Sequence, residues 1–181
     1  MGTPQSPPLV KLIVGMLSAR PEVFDAAERL LVDTYGPVDL RSDEFAFDFT
    51  DYYEGEMGVD LRRRFVSHEH LIDPGHLPSI KQHANALEAE FGHGTGDALT
   101  RAINLDPGYV DQAKLVLATT KDFAHRLYLS QGIYAEVTLR FRNGQFEPWE
   151  WTYPDYRTEG CRVFFGKVRR RYREQLRVTA A

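Results

Sequence analysis

The sequence predicts a single α+β domain, a mostly antiparallel sheet with helices packed on it. Three observations carry this. Strand-like and helix-like apolar runs alternate from Leu9 to Val178, separated by turn residues. Asn143-Gly144 sits between two strand-like runs and is a strong hairpin signal. The C-terminal stretch sets Phe164, Val168, Tyr172 and Leu176 at helical spacing, with Arg169, Arg170, Arg171, Arg173 and Arg177 elsewhere on its surface.

Taken in order, residues 9–16 (LVKLIVGM) read as a buried strand. A helix follows, with Ser18 offered as N-cap, Pro21 in its first turn and Gly36-Pro37 as its stop. Val23, Ala26, Ala27, Leu30 and Leu31 share its apolar face. Residues 44–49 and 63–67 alternate as two strands joined by an acidic connection. Pro78 opens a second helix that buries Ile80, Ala84, Leu87 and Phe91 and ends at GHGTGD, residues 92–97. Residues 101–105 form a short strand stopped by Asp106-Pro107-Gly108, and 112–119 suit strand or helix equally. Strands 126–129 and 133–142, a hairpin partner over 145–153 and a closing helix from about residue 159 complete the chain. The first six elements have the β-α-β-β-α-β order of a ferredoxin-like unit. Residues 1–8 read as a flexible tail and 9–178 as the one domain.

At 181 residues, 43% of them apolar, the chain can bury one proper core. A net charge of −4 argues against a nucleic-acid partner, which selects a basic face. One cysteine, Cys161, leaves no internal disulfide and no Cys-rich zinc site, a usage suited to a reducing cytoplasm. No run approaches the roughly 18 apolar residues of a membrane span, so no membrane partner is expected. The opening MGTPQSPPL lacks the order of a secretory signal. It fits the loose Met-Gly-x-x-x-Ser myristoylation pattern, although its prolines suit a plain tail better.

The richest segment chemically is Asn104 to Arg142. Within it Lys121, Asp122, His125 and Arg126 cluster: the histidine can titrate near neutral pH, and the two cations can clamp a phosphate or carboxylate. With Glu136 nearby, acid–base catalysis by His125, Glu136 and Lys121 is chemically available, while a structural ion-pair network would use the same residues. A two-residue turn at Asn143-Gly144 pairs Arg142 with Gln145, Arg140 with Glu147, Thr138 with Trp149 and Glu136 with Trp151. Tyr134, Glu136, Thr138, Arg140, Glu147, Trp149, Trp151 and Tyr153 then share a face opposite Ile133, Val137, Leu139 and Phe146. That face reads as a stacking wall for a planar ligand, oriented by Glu136 and Arg140, or as a second core layer beneath a helix. Pro148 weakens the register.

The loop DFTDYYEGEMG gathers Asp48, Asp51, Glu54 and Glu56 with Tyr52 and Tyr53. It suits a hard cation such as magnesium, with Asp48 and Glu56 as ligands, or a solvated turn neutralised by Arg62, Arg63 and Arg64. His68 and His70 on one strand raise zinc without further support, and Cys161 reads as a small buried thiol. No Gly-rich segment has the strand and lysine of a phosphate-binding P-loop.

Together FDFTDYYEGEMG, INLDPGYV, KLVLATTKDFAHRLYL, GIYAEVTLRF and WTYPDYR resemble the bacterial domain-of-unknown-function family numbered forty-four sixteen, from about Val10 to Leu176. Members are often called GTP-binding proteins, a name that no motif in this chain supports. The resemblance implies a single-domain bacterial cytosolic protein of unassigned function. It points to Asp48, Thr50, Tyr52, Tyr53, Glu56, Asn104, Asp106, Tyr109, Lys121, His125, Arg126, Glu136, Thr152 and Asp155. The leading expectation is a binder of an anionic, phosphorylated or nucleotide-like small molecule, with catalysis left open. The alternative is an interaction module that docks a partner protein or a second copy through the aromatic hairpin face.

Overall fold

A computed structural model describes residues 2–50, 52–92 and 101–179. Nine strands build one sheet in the order β2-β4-β1-β5-β6-β8-β7, every neighbouring pair antiparallel. The strands on this path are β1 (Val10–Ser18), β2 (Val38–Arg41), β4 (Arg62–Ile72), β5 (Asn104–Val110), β6 (Lys114–Thr119), β7 (Leu127–Ser130) and β8 (Ile133–Arg142). Two short strands sit off it, β3 (Phe45–Ala46) beside β4 and β9 (Gln145–Pro148) beside β8. The helices are α1 (Pro21–Tyr35), α2 (Glu54–Met57), α3 (Leu77–Glu90), α4 (Pro154–Arg157) and α5 (Glu159–Thr179). The expected α+β architecture is present, with β2 and α2 interrupting the predicted succession of its first elements. Among the described residues no helix is long and apolar enough to cross a membrane.

Alternation along the strands separates two cores. Ile13, Phe65, Leu115 and Leu117 pack with Phe164, Phe165 and Val168 of α5. Their neighbours Val14 and Val66 pack with Phe24, Ala27 and Leu31 of α1 and Ala84 and Leu87 of α3. Adjacent strand residues point to opposite faces, so helices cover both faces of the sheet. At full burial such side chains contribute roughly 1.5–3 kcal/mol each. Cys161 is a free buried thiol in the α5 core, as its composition suggested.

Several local expectations need correction. Ser18 does not cap α1: it ends β1, its hydroxyl donates to the Ala102 carbonyl at 2.6 Å, and Arg20 occupies the cap position. Leu30 stays exposed at 36%, and Glu28 takes a buried place on α1 instead. The strand predicted over 44–49 shrinks to Phe45–Ala46, with β2 formed just before it. GHGTGD falls largely outside the described residues.

The main surprise is β5, which runs straight through Asp106-Pro107-Gly108. Pro107 pairs with Val14 of β1, whereas pairing with β6 begins only at Gly108↔Leu117. Locally Pro107 is therefore an edge residue, where a missing N–H costs no ladder bond. Gly108 is needed for a different reason than a turn. A Cβ there would stand 2.2 Å from the Val116 carbonyl oxygen, so only glycine lets β5 and β6 close.

At the hairpin, Asn143 (φ 51°) and Gly144 (φ 83°) both take positive φ, as a type I′ turn requires. The expected register holds from Arg142↔Gln145 to Leu139↔Pro148. The partner strand stops at Pro148, not at residue 153, because proline offers no N–H to continue the ladder. Thr138 and Glu136 therefore do not pair across strands with Trp149 and Trp151.

Gly108→Ala should destabilise the protein by about 1–3 kcal/mol, the usual cost of overpacking. Urea denaturation followed by circular dichroism measures it, and an unchanged midpoint would contradict the close β5–β6 contact.

Candidate functional site

The strand ends define one end of the sheet: Ser18 pairs with Arg62 and Leu17 with Asn104, while β6 finishes beside them at Thr119. A cleft of about 490 Å³ opens there. Its floor is Arg63, Asp106 and Asp155; its walls include Lys81, Asn85 and Glu88 of α3, Thr119 to Lys121 after β6, and Glu136 of β8. Phe47, Phe49, Thr50, Tyr52 and Tyr53 close another side, anchored where Phe47 and Met57 pack on Leu17 and Leu61.

Arg63 is the centre of the floor, 4% exposed. Its guanidinium lies 3.0 Å from Asp106 Oδ2 and 3.0 Å from Asp155 Oδ2, and 5.2 Å from the centre of the Phe47 ring. The contact to Asp155 is an ion pair without hydrogen-bond alignment; among the described residues Asp155 Oδ2, Arg63 Nε and the Tyr156 hydroxyl are buried without a hydrogen bond. Asn104 donates to Asp106 Oδ2 at 2.8 Å. Burial alone would push the Asp106 carboxyl up, but Arg63, Lys81 and the Asn104 amide outweigh it and hold it below the usual range. For Asp155 burial wins over Arg63, and its pKa rises. Two neighbouring carboxyls are thus driven in opposite directions.

Further out, Glu88 accepts from the Leu105 N–H at 2.8 Å and pairs with Arg101 at 3.3 Å. Burial raises its pKa. Lys81 donates to the Leu105 carbonyl at 2.7 Å, and Arg101 also holds Glu56 at 2.5 Å. At the rim, Lys121 donates to the Tyr52 hydroxyl at 2.8 Å and lies 4.5 Å from the centre of that ring. Among the described residues Lys121 forms no ion pair.

Of the residues expected from sequence, Lys121, Glu136, Asn104, Asp106, Asp155, Thr50, Tyr52 and Tyr53 do meet in this cleft. His125 and Arg126 stand behind Glu136, outside it: Arg126 Nε donates to Glu136 at 2.9 Å, and His125 Nε2 lies 3.2 Å from the same oxygen. Arg126 also donates to the Lys121 carbonyl at 3.0 Å and to the Tyr153 hydroxyl at 2.6 Å, so its donors already have protein partners. Asp122 is exposed, and Tyr109 packs beside Leu77 and Val116.

The aromatic wall is filled by the protein itself. His125 stacks on Trp151 with ring centres 5.2 Å apart, Trp151 on Trp149 at 5.2 Å, and the Arg140 guanidinium lies 4.4 Å from the Trp149 ring centre. Trp151 also donates to the Val137 carbonyl at 3.1 Å. Asp48 is exposed, and Glu56 is paired with Arg101. Among the described residues no group of three or more His, Cys, Asp or Glu could hold a metal ion. Arg62 and Arg64 do not neutralise the acidic loop; they pair with Glu44, at 3.1 and 2.5 Å.

Sequence reasoning missed Arg63 as a site residue, together with Lys81, Glu88 and Arg101. Two signals were legible. Arg63 falls in phase with the core residue Phe65 on an alternating strand, and Lys81 and Glu88 lie seven positions apart on one face of α3.

The model of the domain of unknown function DUF4416 matches residues 8–172. The chain belongs to that family. No curated protein and no solved structure matched the chain. The DUF4416 match spans the whole cleft, from Phe47 to Tyr156.

Asp106→Asn should cost about 2 kcal/mol at pH 7, because it removes the charge from hydrogen bonds to a buried guanidinium. A depressed carboxyl adds stability above its unfolded pKa of about 3.9 and loses it as pH falls through the lower folded value. The gap between variant and wild type, read from urea denaturation at each pH, should therefore close in acid. A gap that stays constant would contradict the ion pair.

Proposed function

We propose that the cleft binds a small molecule bearing an anionic group, a phosphate or a carboxylate. The observation that carries this reading is the collection of Arg63, Lys81, Arg101 and Lys121 with Glu88, Asp106, Glu136 and Asp155 around one cavity. Ligand sites occupy cavities of roughly 300–1,000 Å³ with a few convergent polar groups, and burying so many charges is costly for a core that only needs to pack. Lys121, with the Tyr52 ring beside it, supplies the attraction for the anion.

The opposed shifts of Asp106 and Asp155 favour an enzyme over a passive binder. Burial raises the pKa of Asp155 while Arg63, Lys81 and Asn104 hold that of Asp106 down, and neighbouring carboxyls of unlike acidity are what general acid–base chemistry uses. A second reading, partner docking, draws support from the edge strand β7, where Leu127 is 74% and Tyr128 61% exposed. It rests on β7, since the hairpin aromatics expected to dock are already stacked on each other.

A thermal-shift screen with nucleotides, sugar phosphates and organic acids tests the first reading. A ligand at a hundredfold excess over its dissociation constant adds roughly 2.7 kcal/mol of stability to a protein that binds it only when folded. The expected result is a rise in melting temperature that is lost in Lys121→Ala. A shift of equal size in that variant would contradict the site. No shift with any ligand, together with a dimer in sedimentation, would favour docking along β7.

A further inference from the structure

The cleft proposed above to bind an anion is not uniform along its length, and the following inference rests on that reading. Asp106 lies on the cleft floor, on β5. Lys121 lies at the rim, two residues past the end of β6 at Thr119. The other cleft cations are already engaged: Arg63 by two aspartates, Lys81 by the Leu105 carbonyl and Glu88, Arg101 by Glu56 and Glu88. One open cation fits one anionic group better than a di- or triphosphate.

The inner end has the opposite character. Both hydrogen bonds that Asp106 accepts among the described residues fall on Oδ2, from Arg63 at 3.0 Å and Asn104 at 2.8 Å. Its side chain keeps 26% of its surface exposed, and Oδ1 accepts no hydrogen bond among the described residues. Asn85 lies one helical turn beyond Lys81 and lines the same cleft, and its amide has no hydrogen-bond partner among the described residues. Beneath them Asp155, 1% exposed, also lines the cleft, its Oδ2 3.0 Å from the Arg63 guanidinium and without a hydrogen bond among the described residues. An acceptor-rich end calls for a ligand that donates.

We propose that the cleft reads its ligand at two ends, Lys121 taking an anionic group while Asp106 and Asn85 accept hydrogen bonds from a hydroxyl or ammonium group a short carbon chain away. The substrate class is then a small phosphorylated or carboxylated polyol or amino alcohol.

Isothermal titration calorimetry of the full chain tests this with inorganic phosphate, ribose 5-phosphate and phosphoethanolamine. The two-ended probe that matches should bind at least about tenfold more tightly than inorganic phosphate, the usual worth of a hydrogen bond to a charged acceptor. Preference for ribose 5-phosphate marks the hydroxyl class and preference for phosphoethanolamine the ammonium class. Asp106→Asn and Asn85→Leu should each shrink that preference. Should Asp106→Asn fail to fold, Asn85→Leu reads the same quantity without touching Arg63. Lys121-dependent binding in which inorganic phosphate matches both larger probes would overturn the two-ended reading alone, as would a preference untouched by Asn85→Leu. No heat with any probe would overturn it together with the anion site.

Discussion

The guanidinium of Arg63 is out of water, and most of the site's geometry follows from that. An uncompensated buried charge costs several kcal/mol, so β4 can carry Arg63 at this position only if carboxylates come to it. Asp106 arrives on β5 and Asp155 on α4, each at 3.0 Å. The first ties the start of β5 to the start of β4 across β1, which runs between them. The second sets where α4 sits and therefore where α5 begins its path across the sheet. Such a pair adds little net stability compared with apolar packing, but breaking it costs about 3–5 kcal/mol. It works as a positional constraint, holding three separate pieces of chain around one cavity.

The constraint extends outward through shared partners. Asn104 joins Asp106 to Arg101, and Arg101 joins Glu88 of α3 to Glu56 of α2. In a low-dielectric setting such a network is rigid while each member is satisfied and costly once one is not. On the far rim Glu136 is held by Arg126, His125 and Thr138, and His125 begins the stack that ends at Arg140. Of the residues that looked most catalytic in the sequence, His125 and Glu136 thus build the wall, while Lys121 stays open toward the cleft with groups from other elements.

How much of this was legible depends on whether the signal was local. The Asn143-Gly144 turn, the first helix with Pro21 and Gly36, and the amphipathic α5 follow from backbone chemistry that neighbouring residues set. Pro107-Gly108 misled because both residues usually mark turns, whereas here one sits at an unpaired strand edge and the other relieves a clash with Val116. Eight expected site residues meet in the cleft because they lie on or just after the neighbouring strands β5, β6 and β8, on α4, or on the segment packed over them. Asp48 and Glu56 were grouped by sequence distance alone, and Glu56 is paired with Arg101. Arg63 was hidden among three arginines, and only the strand phase separates it from its neighbours. What pairs with it lies 43 residues away on β5, a long-range match that periodicity does not carry.

The measurement that tests this account most directly is chemical-shift mapping by NMR of the labelled full chain during titration with a phosphorylated ligand. Perturbations gathered at Thr119 to Lys121, Tyr52, Asn85 and Asp106, with the Arg63 guanidinium shifting in step, are the predicted result. Perturbations confined to β7 or to the arginines of α5, with the cleft silent, would contradict it.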